Sequence, residues 1–294
     1  MLKNKFTIFD VICYVFLGLL SLTILLPFIH LLTLSFSPSY VATTPGLHLI
    51  PNPADITFDN YAKVFTSKFI WIGYKNTLIR TVFGTAIQLL FTAFGAYVLS
   101  KKFFPHRTFW TFIIVFTMFF GGGLIPTYIL VKQLDLINRY AALILPNLIS
   151  AFNLVIMRNF FSSLPEDYEE SCMIDGAGRF TIFFKIIVPL STPIIATVGL
   201  WLVVGHWNAW FDVLLYIQND IKFTLQIVLR RIILSGTQQL IDMTTAGTFY
   251  EETNSSVEGL KAASIYVATI PILCSYPFVQ RFFVKGIMIG SLKG

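Results

Sequence analysis

Two groups of residues in this chain have types and spacing that could do chemistry. The first is a polar island in an otherwise apolar sequence. It holds Glu166, Asp167, Glu169, Glu170 and Asp175, five of the chain's fifteen acidic residues, followed by Gly176-Ala177-Gly178 and Ile186-Ile187-Val188-Pro189. The second is an aromatic and amide cluster: Trp201, His206-Trp207-Asn208-Ala209-Trp210 and Asp212. Neither group is a catalytic set. No Ser/His/Asp order surrounds a nucleophile elbow, and His30, His48, His106 and His206 have no mutual spacing that makes a metal site. The chemistry these residues suit is recognition: docking for the island, ligand contact for the cluster.

The island has the grammar of two short helices around a turn. Ser163-Leu164-Pro165-Glu166 predicts a helix start, with Ser163 as N-cap, Pro165 in the first turn and Glu166 closing a capping box. The acidic residues then lie near the positive end of the helix dipole. Gly176 and Gly178 permit a sharp turn. An amphipathic segment, Phe180 to Val188, follows and is expected to stop at Pro189. Ile174, Phe180 and Phe183 are expected to be exposed among charges, which marks a partner surface. The plainer alternative is an ordinary acidic loop.

The cluster suits a sugar. Aromatic faces stack on the apolar side of a sugar ring, and Asn208 can bond its hydroxyls. Trp207, Asn208 and Trp210 are the substrate-path candidates, with Asn147, Asn153 and Gln88 as further polar residues inside apolar runs. Polar groups inside a membrane usually face a bundle interior or a water-filled cavity. The alternatives are an interfacial aromatic belt for Trp210 and Asp212, and helix-to-helix packing for the lone amides.

The elements that must position these groups are membrane spans. Apolar residues make up 55% of the 294 residues and charged residues 12%, about half the charge of a soluble domain. Runs long enough to cross a bilayer lie at about 11–36, 76–100, 109–131, 140–160, 191–217 and 262–284. The expectation is one all-α membrane domain of six helices over 1–294. Gly121–Gly123 and Pro126 predict a bent or locally unwound third span, and Pro146 interrupts the fourth. Lys3 and Lys5 precede a first run that is too long for a cleaved signal peptide and reads as a retained anchor. Lys3, Lys5, Lys101, Lys102, Arg107, Arg281, Lys285 and Lys293 fall on one side, which the positive-inside rule makes cytoplasmic. Both termini and the loop 161–190 are then cytoplasmic, and the long segments around 37–75 and 218–261 are external. The net charge of +6 comes from these loop cations and does not describe a nucleic-acid surface. Cys13, Cys172 and Cys274 are far apart and are expected to be free thiols. Asn254-Ser255-Ser256 matches a glycosylation sequon that arises often by chance.

The spacing Glu170, five residues, Gly176, nine residues, Ile186-x-Val188-Pro189 resembles the EAA loop of ABC-importer permeases. There the pattern is Glu-Ala-Ala, three residues, Gly, nine residues, Ile-x-Leu-Pro. Ser171 and Cys172 replace the alanines here, and Val188 replaces leucine. Asn60-Tyr61, Ile174-Asp175-Gly176-Ala177, Ala96-Tyr97-Val98-Leu99-Ser100 and Gln280-Arg281-Phe282-Phe283-Val284-Lys285-Gly286 are similar to the carbohydrate, MalG-like subgroup, in the branch associated with polysaccharide-derived oligosaccharides. The resemblance implies a type I ABC importer permease fold in a bacterial plasma membrane. It also implies a homologous second permease subunit, two cytoplasmic ATPase subunits and an extracytoplasmic sugar-binding protein. The ATPase contacts would be Glu170, Ile174, Asp175, Gly176, Ala177, Phe180, Phe183, Ile186 and Pro189. The tail from Gly286 to Gly294 would reach the ATPase interface. ATP and Mg would be bound by the partners, since this chain has no Gly-x-x-x-x-Gly-Lys-Ser/Thr and no cofactor of its own. The runner-up is an ion-gradient-driven secondary transporter, which calls for repeated hydropathy halves and a buried ionisable relay. A membrane enzyme is the third reading.

Overall fold

A computed structural model describes residues 7–234 and 256–291, those after 274 as backbone alone. The sequon's Asn254, residues 235–255 of the external segment 218–261, Lys3, Lys5 and the last residues of the C-terminal tail lie outside them. The described chain is helical. In order it forms α1 (Ile8–Ser35), α2 (Asp59–Thr66), α3 (Lys68–Ser100), α4 (Arg107–Phe119), α5 (Leu124–Gln133), α6 (Ala151–Ser162), α7 (Asp167–Ile174), α8 (Arg179–Leu190), α9 (Thr192–Asn208), α10 (Phe211–Tyr216), α11 (Leu225–Leu234) and α12 (Val257–Ser291). Among the described residues, α1, α3 and α12 are each long and apolar enough to cross a bilayer. Three further helix pairs qualify only if each bent pair counts as one span: α4 with α5 at 112°, the turns Tyr140–Asn147 with α6 at 55°, and α8 with α9 at 83°.

The breaks have local causes. Between α4 and α5 the chain leaves helical geometry at Phe120, and Gly123 takes φ +84°, a left-handed angle that glycine alone adopts freely. Pro146 sits in a short 3₁₀ turn before α6, whose amino end Ser150 caps. Pro189 does not stop the second arm of the island, contrary to the expectation. The chain widens into a π turn at Phe183–Ile187 and stays helical to Leu190, so the bend falls at Ser191. A π turn directly before proline accommodates its missing N–H and its bulky ring. Ser163 does not cap α7 either. Its hydroxyl turns back to the Phe160 carbonyl at 2.7 Å, and α7 begins at Asp167 without a side-chain cap.

The described chain divides into two compact units. One comprises the described parts of Met1–Trp71 and Leu229–Ile270. In it the buried Asn60 donates to the carbonyls of Ser35 at 3.2 Å and Ser37 at 3.0 Å. Gly259 makes room for that side chain, since a Cβ there would lie 2.6 Å from Asn60 Nδ2. His30 and His48 stack in this unit with centroids 5.8 Å apart, a pairing that their sequence spacing does not reveal.

The other unit, Ile72–Val228 with Pro271–Gly294, carries both candidate groups. Its core joins the end of α3 (Ala93, Ala96, Tyr97, Leu99) to α6 (Leu154, Met157, Phe161), α8 (Ile182, Phe183, Ile187) and Val198 of α9. Arg158 of α6 donates to the Leu99 carbonyl at 3.3 Å, satisfying one of the orphan acceptors at the carboxyl end of α3. The opposite part of the same helix holds the segment before α11. Asn76 donates to the Ile221 and Phe223 carbonyls at 2.8 and 2.9 Å and accepts from Tyr140 at 2.7 Å.

Candidate functional site

The island folds as a helical hairpin around one glycine. Gly176 takes φ +79° and donates to the Met173 carbonyl at 3.0 Å, and Ala177 N–H donates to Cys172 at 2.9 Å. These two bonds are the Schellman pattern, which satisfies the last carbonyls of α7 and requires a residue that tolerates the left-handed region. Ala177 and Cys172, its partner positions, both pack on the core of the unit. The sharp turn that the glycines predict is therefore built at Gly176, while Gly178 has extended backbone (φ −72°, ψ 157°).

The hairpin presents its tip and buries its root. Ile174 is 87% exposed and Phe180 74%. Glu170, Asp175, Gly176 and Pro189 are exposed, and Ile186 is half-buried. Phe183 is not exposed, as the amphipathic pattern had it. At 2% exposure it lies in the core, stacked on Phe94 with centroids 4.7 Å apart and tilted against Tyr97 at 5.1 Å. Glu169 is the one acid of α7 that turns inward. Its carboxylate accepts from Tyr97 Oη at 3.2 Å and pairs with Lys101 Nζ. Lys101 Nζ also lies 4.4 Å from the centre of the Tyr97 ring. At the surface, Lys102 pairs with Glu166 at 2.8 Å and holds that carboxyl below its usual range. Arg179 covers the Phe103 ring at 4.4 Å.

The aromatic and amide cluster forms the wall of a cavity of about 490 Å³, within the ~300–1,000 Å³ range of small-ligand sites. Gln88, Asn147, Asn208 and Trp210 line it, as do Trp201 and Phe211. Trp207 and Asn153 are not among the lining residues. Trp207 is buried and meets Tyr74 edge-on at 6.3 Å, because α9 turns it away from Trp201 and Asn208. Asn153 lies in the first turn of α6, where its N–H bonds Ser150 Oγ at 3.5 Å.

The sequence-based candidates miss the arginine of this wall. Arg80 of α3, 4% exposed, pairs through both terminal nitrogens with the Asp212 carboxylate. Its Nε donates to His206 Nδ1 at 3.3 Å. Arginine only donates, so the imidazole accepts at Nδ1 and carries its proton on Nε2. That proton goes to Gln88 Oε1 at 3.1 Å, and Gln88 Nε2 donates to the Asn147 carbonyl at 2.8 Å. One directional chain of hydrogen bonds thus ties α10, α3, α9 and the turn before α6. Gly84 lets the imidazole approach, since a Cβ there would stand 2.6 Å from His206 Nε2. The signal was in the sequence: an arginine inside an apolar run is costly unless it is paired. Among the described residues no group of three or more His, Cys, Asp or Glu could hold a metal ion.

Residues 70–289 match the family model described as the binding-protein-dependent transport system inner membrane component. The chain belongs to this family. This permease is similar to the polygalacturonan/rhamnogalacturonan transport system permease protein YtcP of Bacillus subtilis (strain 168), with 39% identity over 293 residues that cover 100% of both chains. It is also similar to the protein LplC of the same organism, at 41% identity over 98% of this permease and 95% of LplC. Among solved structures it resembles a chain from the crystal structure of a bacterial ABC transporter involved in the import of the acidic polysaccharide alginate. The TM-score is 0.87 at 31% identity, covering 96% of this permease and 100% of that chain. The permease is therefore an all-α membrane component of an ABC import system, with the ABC-permease fold that the spacing of the island implied.

Proposed function

We propose that this permease is one of two homologous subunits that line the pathway of an ATP-driven oligosaccharide importer. The loop 161–190 docks a cytoplasmic ATPase subunit, the ATPases hold ATP and Mg, and an extracytoplasmic binding protein delivers the sugar. Both termini are cytoplasmic in this reading, and the family membership supplies the setting.

The observation that carries the coupling half is the hairpin itself. A single left-handed glycine aims two large apolar side chains, Ile174 and Phe180, at solvent, while Glu169 and Phe183 tie its root to α3. A loop without a partner gains nothing from presenting isoleucine and phenylalanine on so firmly anchored a base. The cargo half is supported by the sugar transport of the relatives and by the cavity. Trp201, Trp210 and Phe211 offer ring faces there, and Asn208 offers an amide. In Glu170→Lys, ATPase subunits are expected to be lost from the purified complex and ATP-dependent sugar uptake to stop. Normal copurification together with normal uptake would defeat the coupling reading.

A further inference from the structure

Both arms of the hairpin are gripped by the carboxyl end of α3 and the residue that follows it. Phe94 and Tyr97 lie at i and i+3 of α3, so they share a face, and Lys101 follows directly on its last residue, Ser100. Tyr97 and Lys101 hold Glu169 of α7. Phe94 and Tyr97 hold Phe183 of α8. Along the same helix, at 1.5 Å per residue, Gln88 lies about 14 Å and Arg80 about 26 Å from Tyr97, and both carry the hydrogen-bonded wall of the cavity. A buried ion pair gives a poor return as a stability device. Glu169 is 8% exposed and the Lys101 side chain 15%, while the exposed Lys102–Glu166 pair beside them already links the same two segments. What the buried pair adds is a joint that holds in tension. Apolar side chains on a hairpin arm can slide past each other, whereas a carboxylate held from two directions, by an ammonium and a phenol hydroxyl, resists both withdrawal and rotation.

We infer that Glu169, Lys101 and Tyr97 form a latch that transmits hairpin displacement to α3, and through α3 to the cavity wall. They are positioning residues and touch neither nucleotide nor sugar. The latch rests on the docking reading above, because it needs a partner that moves the hairpin. It separates two tasks that the island would otherwise share: Ile174 and Phe180 hold the partner, and Glu169 passes the motion on.

The test uses the intact transporter reconstituted in lipid vesicles with its ATPase subunits and binding protein. Subunit copurification, ATP hydrolysis and sugar uptake are measured for Glu169→Gln, Lys101→Met, Lys101→Arg, Tyr97→Phe and the exchanged pair Lys101→Glu with Glu169→Lys. The latch requires Glu169→Gln and Lys101→Met to retain the ATPases and hydrolyse ATP, while uptake per ATP falls by about tenfold, a usual size for a coupling loss. Lys101→Arg and the exchanged pair regain most of the coupling, and Tyr97→Phe loses part of it. If Lys101→Met does not accumulate, Lys101→Arg and Tyr97→Phe still decide, because they keep the packing. Unchanged uptake per ATP in Glu169→Gln and Tyr97→Phe overturns the latch and leaves docking intact. Loss of ATPase subunits in step with uptake, restored by the exchanged pair, also overturns it, because the pair would then only shape the hairpin. A wild-type complex that never holds the ATPases removes docking and the latch together.

Discussion

Replacing Gly176 with alanine isolates the backbone of the hairpin from everything else in it. The residue has φ +79°, and a Cβ built there meets nothing within 4 Å. The substitution therefore causes no clash, and its cost is conformational. Holding an L-residue in the left-handed region costs roughly 1–2 kcal/mol. Alanine also narrows the unfolded ensemble, which returns about 0.4–1 kcal/mol. The net loss is about 1 kcal/mol, or about fivefold in the ratio of formed to unformed turn. Docking needs that turn, so the apparent affinity for the ATPase subunit falls by at most the same factor. Asparagine tolerates the left-handed region better than alanine, so Gly176→Asn should bind more tightly than Gly176→Ala despite its larger side chain. The assay is titration of labelled ATPase subunits against the purified permease complex in detergent. Equal weakening by the two substitutions would refute the backbone argument. A loss of a hundredfold or more would point to a side-chain clash in the partner's groove instead.

Other perturbations test the packing and the cavity wall. Phe183→Ala removes a ring from the core and should lower stability by about 3–5 kcal/mol, read as a large drop in thermal midpoint. Phe180→Ala, at a 74% exposed position, should leave the midpoint unchanged and weaken ATPase docking. Gly84→Ala puts a methyl group against His206 and should destabilise the protein by about 1–3 kcal/mol through overpacking, visible by the same thermal assay. Asp212→Asn breaks the pair with Arg80 and should reduce the folded yield. Adding Arg80→Met to it should restore part of the loss, since an unpartnered buried charge is worse than none; a double variant worse than the single would count against this. Trp210→Ala, at the cavity wall, should slow sugar uptake at normal membrane abundance, whereas Trp207→Ala, in buried packing, should lower abundance.

What could be read from the sequence was whatever depends on local chemistry. Apolar runs became helices, and the glycine and proline clusters at 121–126 and at Pro146 became breaks, because both effects act within a few residues. The spacing from Glu170 to Pro189 pointed to the family by its resemblance to the importer-permease pattern, which the family match bears out. Orientation within a helix was harder. Ile174, Phe180 and Phe183 looked alike as apolar residues among charges, but the π turn rotates Phe183 into the core. Trp207 and Trp210 looked alike as ring donors, but the chain leaves helix α9 at Ala209, so the two rings face different surroundings. Which residues pair in the hydrogen-bonded wall was hidden because its members lie on four separate elements. Arg80 and Asp212 are 132 positions apart, and only the packed chain brings them together. Glu169 was masked by its neighbours, since nothing in the run Glu166-Asp167-Tyr168-Glu169-Glu170 says which acid turns inward.

The central claim is that the hairpin tip touches the ATPase. A photo-crosslinking residue placed at Ile174 or Phe180, in a complex that still imports its sugar, tests this most directly. Illumination should join the permease to the ATPase subunit at both positions, and should not do so from Phe112 on α4. An active complex that gives no ATPase adduct from either Ile174 or Phe180 would contradict the account.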